Sequence, residues 1–198
     1  MKNKKILLTI AIATILSSTS ALASTSSKIN GDVNVGVAKT DMSYVGNSLE
    51  LDSESVSVGL NLRLMDYYTA GFTYSDMSKE SDKYEFSLGY LRPINERVAL
   101  SFGGSYLVYD GFLISNSDEM ESLNISIGSE IKLNRDVTFS LGLERADTDY
   151  TFEDESEDRH VSTNFYAGLS YDFDEKISVS LYHREFLQET GLRLSWKF

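Results

Sequence analysis

The sequence predicts an all-β fold: a closed, up-and-down antiparallel barrel of ten strands, with eight as the alternative count, whose apolar face points outward into a membrane. Three observations predict it. Apolar residues recur with period two through nearly the whole chain of 198 residues. The positions between them are mostly glycine, serine and threonine. Short and long links between the alternating segments take turns along the chain.

The first element is a leader. Lys2, Lys4 and Lys5 precede an apolar stretch from Ile6 to Leu16, and Ser17 to Ala23 ends in the small-x-small pattern Ala21-Leu22-Ala23. Residues 1–23 therefore read as a cleaved secretory signal peptide, its apolar core being too short for a helix across a bilayer, which takes about 20 residues. The barrel domain is then 24–198. Loss of three lysines takes the net charge from −12 to −15.

The strands follow in order. Val33, Val35 and Val37 mark the first; Val56, Val58, Leu60, Leu62 and Leu64 the second; Tyr68, Ala70, Phe72 and Tyr74 the third. Tyr84 to Tyr90, Val98 to Tyr106, Leu123 to Leu133 and Val137 to Leu143 continue the alternation. Thr163 to Phe173, Ile177 to Leu181 and Leu192 to Phe198 complete it. Tight links fall at 65–67, 92–96, 134–136 and 173–175. Longer ones are expected near 40–53, 75–83, 110–121 and 147–160, with a shorter fifth near 184–189. This places all tight turns at one end of the barrel and all long loops at the other, with both termini at the tight-turn end.

The small face decides the orientation. In a soluble barrel the outer surface would consist of residues such as Ser57, Gly59, Gly71, Thr73, Ser87, Gly89, Ser101, Gly103, Ser126, Gly128, Ser140 and Gly142. Soluble surfaces carry about 25–35% charged residues, and this face has few. Inverted, Val, Leu, Ile and Phe meet lipid and small groups fill a narrow lumen. Closure is then obligatory, because each backbone polar group in hydrocarbon needs a partner. Aromatic residues collect at strand ends in two girdles: Tyr68, Tyr90, Tyr171, Phe173, Trp196 and Phe198 near the turns, and Tyr74, Tyr84 and Tyr106 near the loops. Inward glycines on nine strands leave room for Tyr166, Tyr182 or charged neighbours.

With its leader, alternating strands and terminal Leu192-x-Leu194-x-Trp196-x-Phe198, the chain resembles the small outer-membrane β-barrel proteins of Gram-negative bacteria, of the accessory colonisation factor or Ail/Lom type. The resemblance covers the whole mature chain. It implies an integral outer-membrane location, loops outside the cell, termini in the periplasm, and a last strand read by the outer-membrane assembly machinery. Many members of the group have eight strands.

Charge is segregated. The expected long loops hold nineteen acids against Lys79, Lys83, Arg159 and Arg184. Asp118, Glu119 and Glu121 in one loop, and Asp147, Asp149, Glu153, Asp154, Glu155, Glu157 and Asp158 in another, are the candidate surface-interaction residues. Such a field would recruit basic or divalent partners, and would repel anionic lipopolysaccharide unless divalent cations bridge the two. No loop has the spacing of a calcium-binding loop. Within the lumen, Glu85, Glu144, Arg184 and Arg193 lie toward the loops and Arg63, Glu130, Lys132 and Asp172 toward the turns; opposite signs at similar depth suggest ion pairs.

Composition excludes several classes. With no cysteine there is no disulfide, thiol nucleophile or thiolate metal site. The acidic balance argues against nucleic acid as a partner. His183, facing lipid near the outer rim with Glu185 two positions on, resembles part of the Ser-His-acid machinery of lipid A deacylases, but no serine stands beside it on the strand. The expectation is therefore a monomeric barrel without catalytic chemistry, cofactor or metal. It would display acidic loops for adhesion, colonisation or envelope protection, toward a host surface or another extracellular partner. The alternatives are a narrow pore for small solutes or ions and a lipid A-modifying enzyme.

Overall fold

The computed structural model describes residues 29–44, 49–65, 67–77, 81–114, 117–152 and 157–198. The leader 1–23 and Glu153, Asp154 and Glu155 lie outside the described residues, and of the side chains of Asp118, Glu119, Glu157 and Asp158 nothing is described.

Ten strands form: β1 (Ile29–Tyr44), β2 (Leu49–Leu64), β3 (Tyr68–Met77), β4 (Asp82–Pro93), β5 (Val98–Ile114), β6 (Ser117–Lys132), β7 (Val137–Phe152), β8 (Glu157–Asp172), β9 (Ile177–Arg184) and β10 (Glu189–Lys197). Each pairs antiparallel with its chain neighbours, and β1 pairs with β10 from Asp32↔Lys197 to Thr40↔Glu189, so the sheet closes with no edge along that seam. The ten-strand reading holds, and eight does not.

Three tight turns share one device. Asn95 accepts hydrogen bonds from the backbone N–H groups of Arg97 and Val98, Asn134 from those of Asp136 and Val137, and Asp174 from those of Lys176 and Ile177. Each is a short Asx side chain standing in for a backbone acceptor. It follows an apolar residue and precedes, three positions on, a β-branched one that opens the next strand. The two backbone N–H groups hold the Asp174 carboxyl below the usual carboxylate range. A depressed folded-state pKa stabilises the fold above the unfolded value and loses that contribution as pH falls through the folded one. Asp174→Asn, which keeps the acceptor without the charge, is expected to flatten the acid limb of an unfolding-versus-pH curve; Asp174→Ala should lower stability at neutral pH.

Outside, large apolar side chains are exposed around the circumference, among them Val37, Leu88, Ile125, Leu143, Leu181 and Leu192. A belt of this size has no place in water and is explained by a bilayer. Inside, glycines admit large rings. A Cβ at Gly142 would stand 2.5 Å from the Tyr166 hydroxyl and 2.5 Å from the Ile127 carbonyl oxygen, and one at Gly191 would meet the Tyr182 ring at 2.5 Å. Tyr166 and Tyr182 lie over bare backbone.

The expected long loops are largely strand. Hairpins β1–β2, β5–β6 and β7–β8 carry their pairing up to Tyr44↔Leu49, Ile114↔Ser117 and Thr151↔Glu157. The outward apolar signal ends earlier, which is why the strands read as finished. Above the belt the alternation changes phase: Asp76, Asp110, Glu121 and Asp149 point outward, while Met77, Tyr109, Met120 and Tyr150 point inward and are buried. A barrel that leaves lipid for water must exchange its faces.

Candidate functional site

Three layers fill the lumen. Toward the loops lies an apolar plug of Met77, Leu107, Tyr109, Met120, Tyr150 and Leu187, all at most 4% exposed, with Phe186 packed against it. Five of these stand on strands. Leu187 comes from the four-residue turn between β9 and β10. The sequence places small groups, charged side chains and Tyr166 or Tyr182 in the lumen but no apolar plug; this plug is a correction, and its signal in the sequence is the inward pair Leu107 and Tyr109 on β5.

Below the plug is a layer of charge. Arg184 donates to Glu85 at 2.9 Å and forks onto Glu144 at 2.6 and 3.3 Å. Lys83 is ion-paired with Glu189, both buried, and lies 5.9 Å from the centre of the Tyr109 ring. Lys83 and Glu189 were counted with the exposed loops in the sequence and belong instead to the interior. Buried charges of this kind persist only when paired and hydrogen-bonded.

Below that layer a cavity of about 1220 Å³ opens toward the tight turns. Arg63, Glu85, Glu130, Lys132, Glu144, Arg184 and Arg193 all line it. Arg193 stacks on Tyr182, 5.0 Å from the ring centre, and its Nε has no hydrogen-bond partner among the described residues. At the mouth Lys197 pairs with Asp172 at 2.6 Å, and Asp32 accepts from Asn34 and Asn61 at 3.2 and 3.1 Å. No described ion pair joins Arg63, Glu130 or Lys132.

The outward face carries the girdle aromatics. Tyr68 and Tyr90 are in ring contact at 5.3 Å, Tyr74 and Tyr84 at 5.4 Å, and Tyr171 and Phe173 at 5.0 Å; Tyr106 and Trp196 are also exposed, whereas Phe198 is half-buried, its ring against Gly31 at the cavity mouth. Above the loop-end girdle runs a row of carboxylates across adjacent strands. In register, Asp76 faces Asp82, Asp82 faces Asp110 and Glu121 faces Asp149. Like charges directly opposite one another are unfavourable. Tyr74 donates to Asp82 at 2.8 Å, and Arg159 clasps Asp147 with its Nε at 2.7 Å.

Among the described residues His183 and Glu185 are not brought into contact with each other. Its Nδ1 lies 2.8 Å from the Thr190 hydroxyl and its ring packs on Phe165. The Glu185 carboxylate is occupied by the Phe165 backbone N–H at 2.8 Å. The acid therefore orients the turn rather than the imidazole. Among the described residues no group of three or more His, Asp or Glu side chains has the spacing of a metal site.

No family model matches the chain, and no curated protein matches it. Solved structures do. An outer membrane channel from Pseudomonas putida F1 is similar over 86% of this chain and 95% of its own, with 14% identity and a TM-score of 0.54. Neisserial surface protein A is 13% identical over 86% of this chain and 97% of its own, with a TM-score of 0.38. Ail, the attachment invasion locus protein of Yersinia pestis, is 13% identical over 86% and 99%, with a TM-score of 0.37. Together with the closed ten-stranded sheet and its exposed apolar belt, the likeness to the channel shows that this chain has the fold of the outer-membrane β-barrels.

Proposed function

We propose that the protein is a non-catalytic outer-membrane barrel whose acidic rim makes contact outside the cell, with its lumen closed at rest. The observation that carries this reading is the outward carboxylate row Asp76, Asp82, Asp110, Glu121 and Asp149, raised above the apolar belt on strands that outlast it. A rigid sheet presents these charges at fixed spacing, which favours a basic or cation-bridged partner over an apolar one. Lipopolysaccharide phosphates held through divalent cations fit within the membrane, and a basic host-surface component fits beyond it. The aromatic girdles set the depth, and the terminal Trp196-x-Phe198 remains the segment offered to the assembly machinery.

Cells displaying the wild type or a form with Asp110→Asn, Glu121→Gln and Asp149→Asn test the reading by adhesion to host-cell monolayers. Adhesion is expected to fall several-fold in the neutralised form, and to weaken with added salt in the wild type as screening shortens the reach of exposed charges. Equal adhesion by both forms would remove the carboxylate row as the contact surface.

A second reading, a narrow pore, is favoured by one observation: the cavity of about 1220 Å³, with Arg63, Glu130, Lys132 and Arg193 in its lining, that reaches up to Arg184 from the turn end. Ten strands enclose little more than the interior that side chains just fill in eight, so only water and small ions would pass.

A further inference from the structure

We propose that the four-residue turn 185–188 is a gate: with Leu187 inserted it stops the lumen, and its withdrawal opens a narrow path for water and small ions past the Arg184 layer. This goes beyond surface contact and does not depend on the outer carboxylates.

Several observations converge on that turn. On the loop side the cavity lining ends at the charge layer of Lys83, Glu85, Glu144, Arg184 and Glu189; no plug residue lines it, and among the described residues the plug stands between that layer and the loop side. Five plug residues belong to strands paired on both sides, which cannot leave without breaking the barrel. Leu187, fully buried, is the one plug residue supplied by a turn among the described residues. That turn joins the two shortest strands, of eight and nine residues, where the wall is lowest: β8 runs from Glu157 but meets β9 only from Tyr166 onward.

The turn is closed by the Gln188 N–H on the Glu185 carbonyl at 3.0 Å and is flanked by Arg184 and Glu189 of the charge layer; its own described hydrogen bonds to the wall are three. The Glu185 N–H donates to the Phe165 carbonyl at 3.0 Å, the Phe165 N–H to the Glu185 carboxylate at 2.8 Å, and the Asp41 N–H to the Gln188 carbonyl at 3.3 Å. Gln188 sits at a φ of 44°, a left-handed conformation uncommon for a residue with a side chain. The closed plug also buries the Tyr109 hydroxyl with no hydrogen-bond partner among the described residues. Within the turn, closure is held by the packing of Leu187 and Phe186, by the Glu185 tether and by the Asp41–Gln188 backbone bond, against the left-handed backbone at Gln188.

Planar-bilayer recordings of the full mature protein decide the matter. Channel steps are expected to be rare or absent in the wild type. Leu187→Ser, which shortens and wets the stopper, is expected to raise open probability at least ten-fold. Glu185→Ala, which keeps the plug and removes the side-chain tether, should act in the same direction and carries the test if Leu187→Ser does not reach the folded, heat-modifiable form. A wild type that stands steadily open, or folded variants as silent as the wild type, would overturn the gate. Neither result touches the adhesion assay, so the two proposals fail separately.

Discussion

Replacing Arg184 with methionine is expected to lower the unfolding free energy by about 3–5 kcal/mol, the cost of breaking a buried ion pair from one side. Arg184 engages two carboxylates at once, and its own side chain and those of Glu85 and Glu144 are at most 18% exposed. Methionine fills much of the same length but leaves Glu85 and Glu144 facing each other across the lumen without a cation. Urea-induced unfolding in lipid vesicles, followed by tryptophan emission from Trp196, is the measurement. In a Glu85→Gln, Glu144→Gln background the same substitution should cost far less, because the charges it strands are gone. A loss under about 1 kcal/mol in the wild-type background would mean that water in the cavity screens the layer and that it holds nothing together.

An arginine at Ile127 should cost about 2–4 kcal/mol, the depth-dependent penalty for a cation on the lipid face near the bilayer midplane. Ile127 is 53% exposed and sits in register between Phe102 and Leu143, well inside the apolar belt. Leu133, 56% exposed at the turn end of the same segment, is equally bare but lies at the boundary, and Leu133→Arg should cost only about 0–1 kcal/mol. The contrast between two sites of matched exposure reads depth directly. Equal costs would mean that exposure to hydrocarbon does not distinguish them, and the outward orientation of the belt would fall with that result.

Much of the barrel was legible because its chemistry is periodic. Val56 to Leu64 and Leu123 to Leu133 alternate cleanly, so strand identity, lipid-facing side and lumen-facing side followed from one pattern. The lumen charges Glu85, Glu144 and Arg184 were readable from parity and depth, and the glycines at 128, 142 and 191 from the need to seat Tyr166 and Tyr182. The repeat Asn95, Asn134, Asp174 is legible as well, spaced identically before Val98, Val137 and Ile177, though only when the three turns are compared with one another.

What failed did so at one boundary. The apolar period marks strands only while their outer face touches lipid, so Asp110 to Ile114 and Asp147 to Phe152 read as loop although they belong to β5 and β7. Lys83 and Glu189 were assigned to solvent for the same reason. They lie 106 residues apart and are joined only when the sheet closes.

By itself the sequence determined that strands form, which side of each meets hydrocarbon, and that their ends are acidic, because these are properties of residues two positions apart. Only the tertiary structure decided how far the ladders climb, that Lys83 meets Glu189 and Arg184 meets Glu85, and that a turn drops Leu187 into the lumen. Those contacts join strands distant in the chain, and their geometry exists only once the tenth strand has paired with the first.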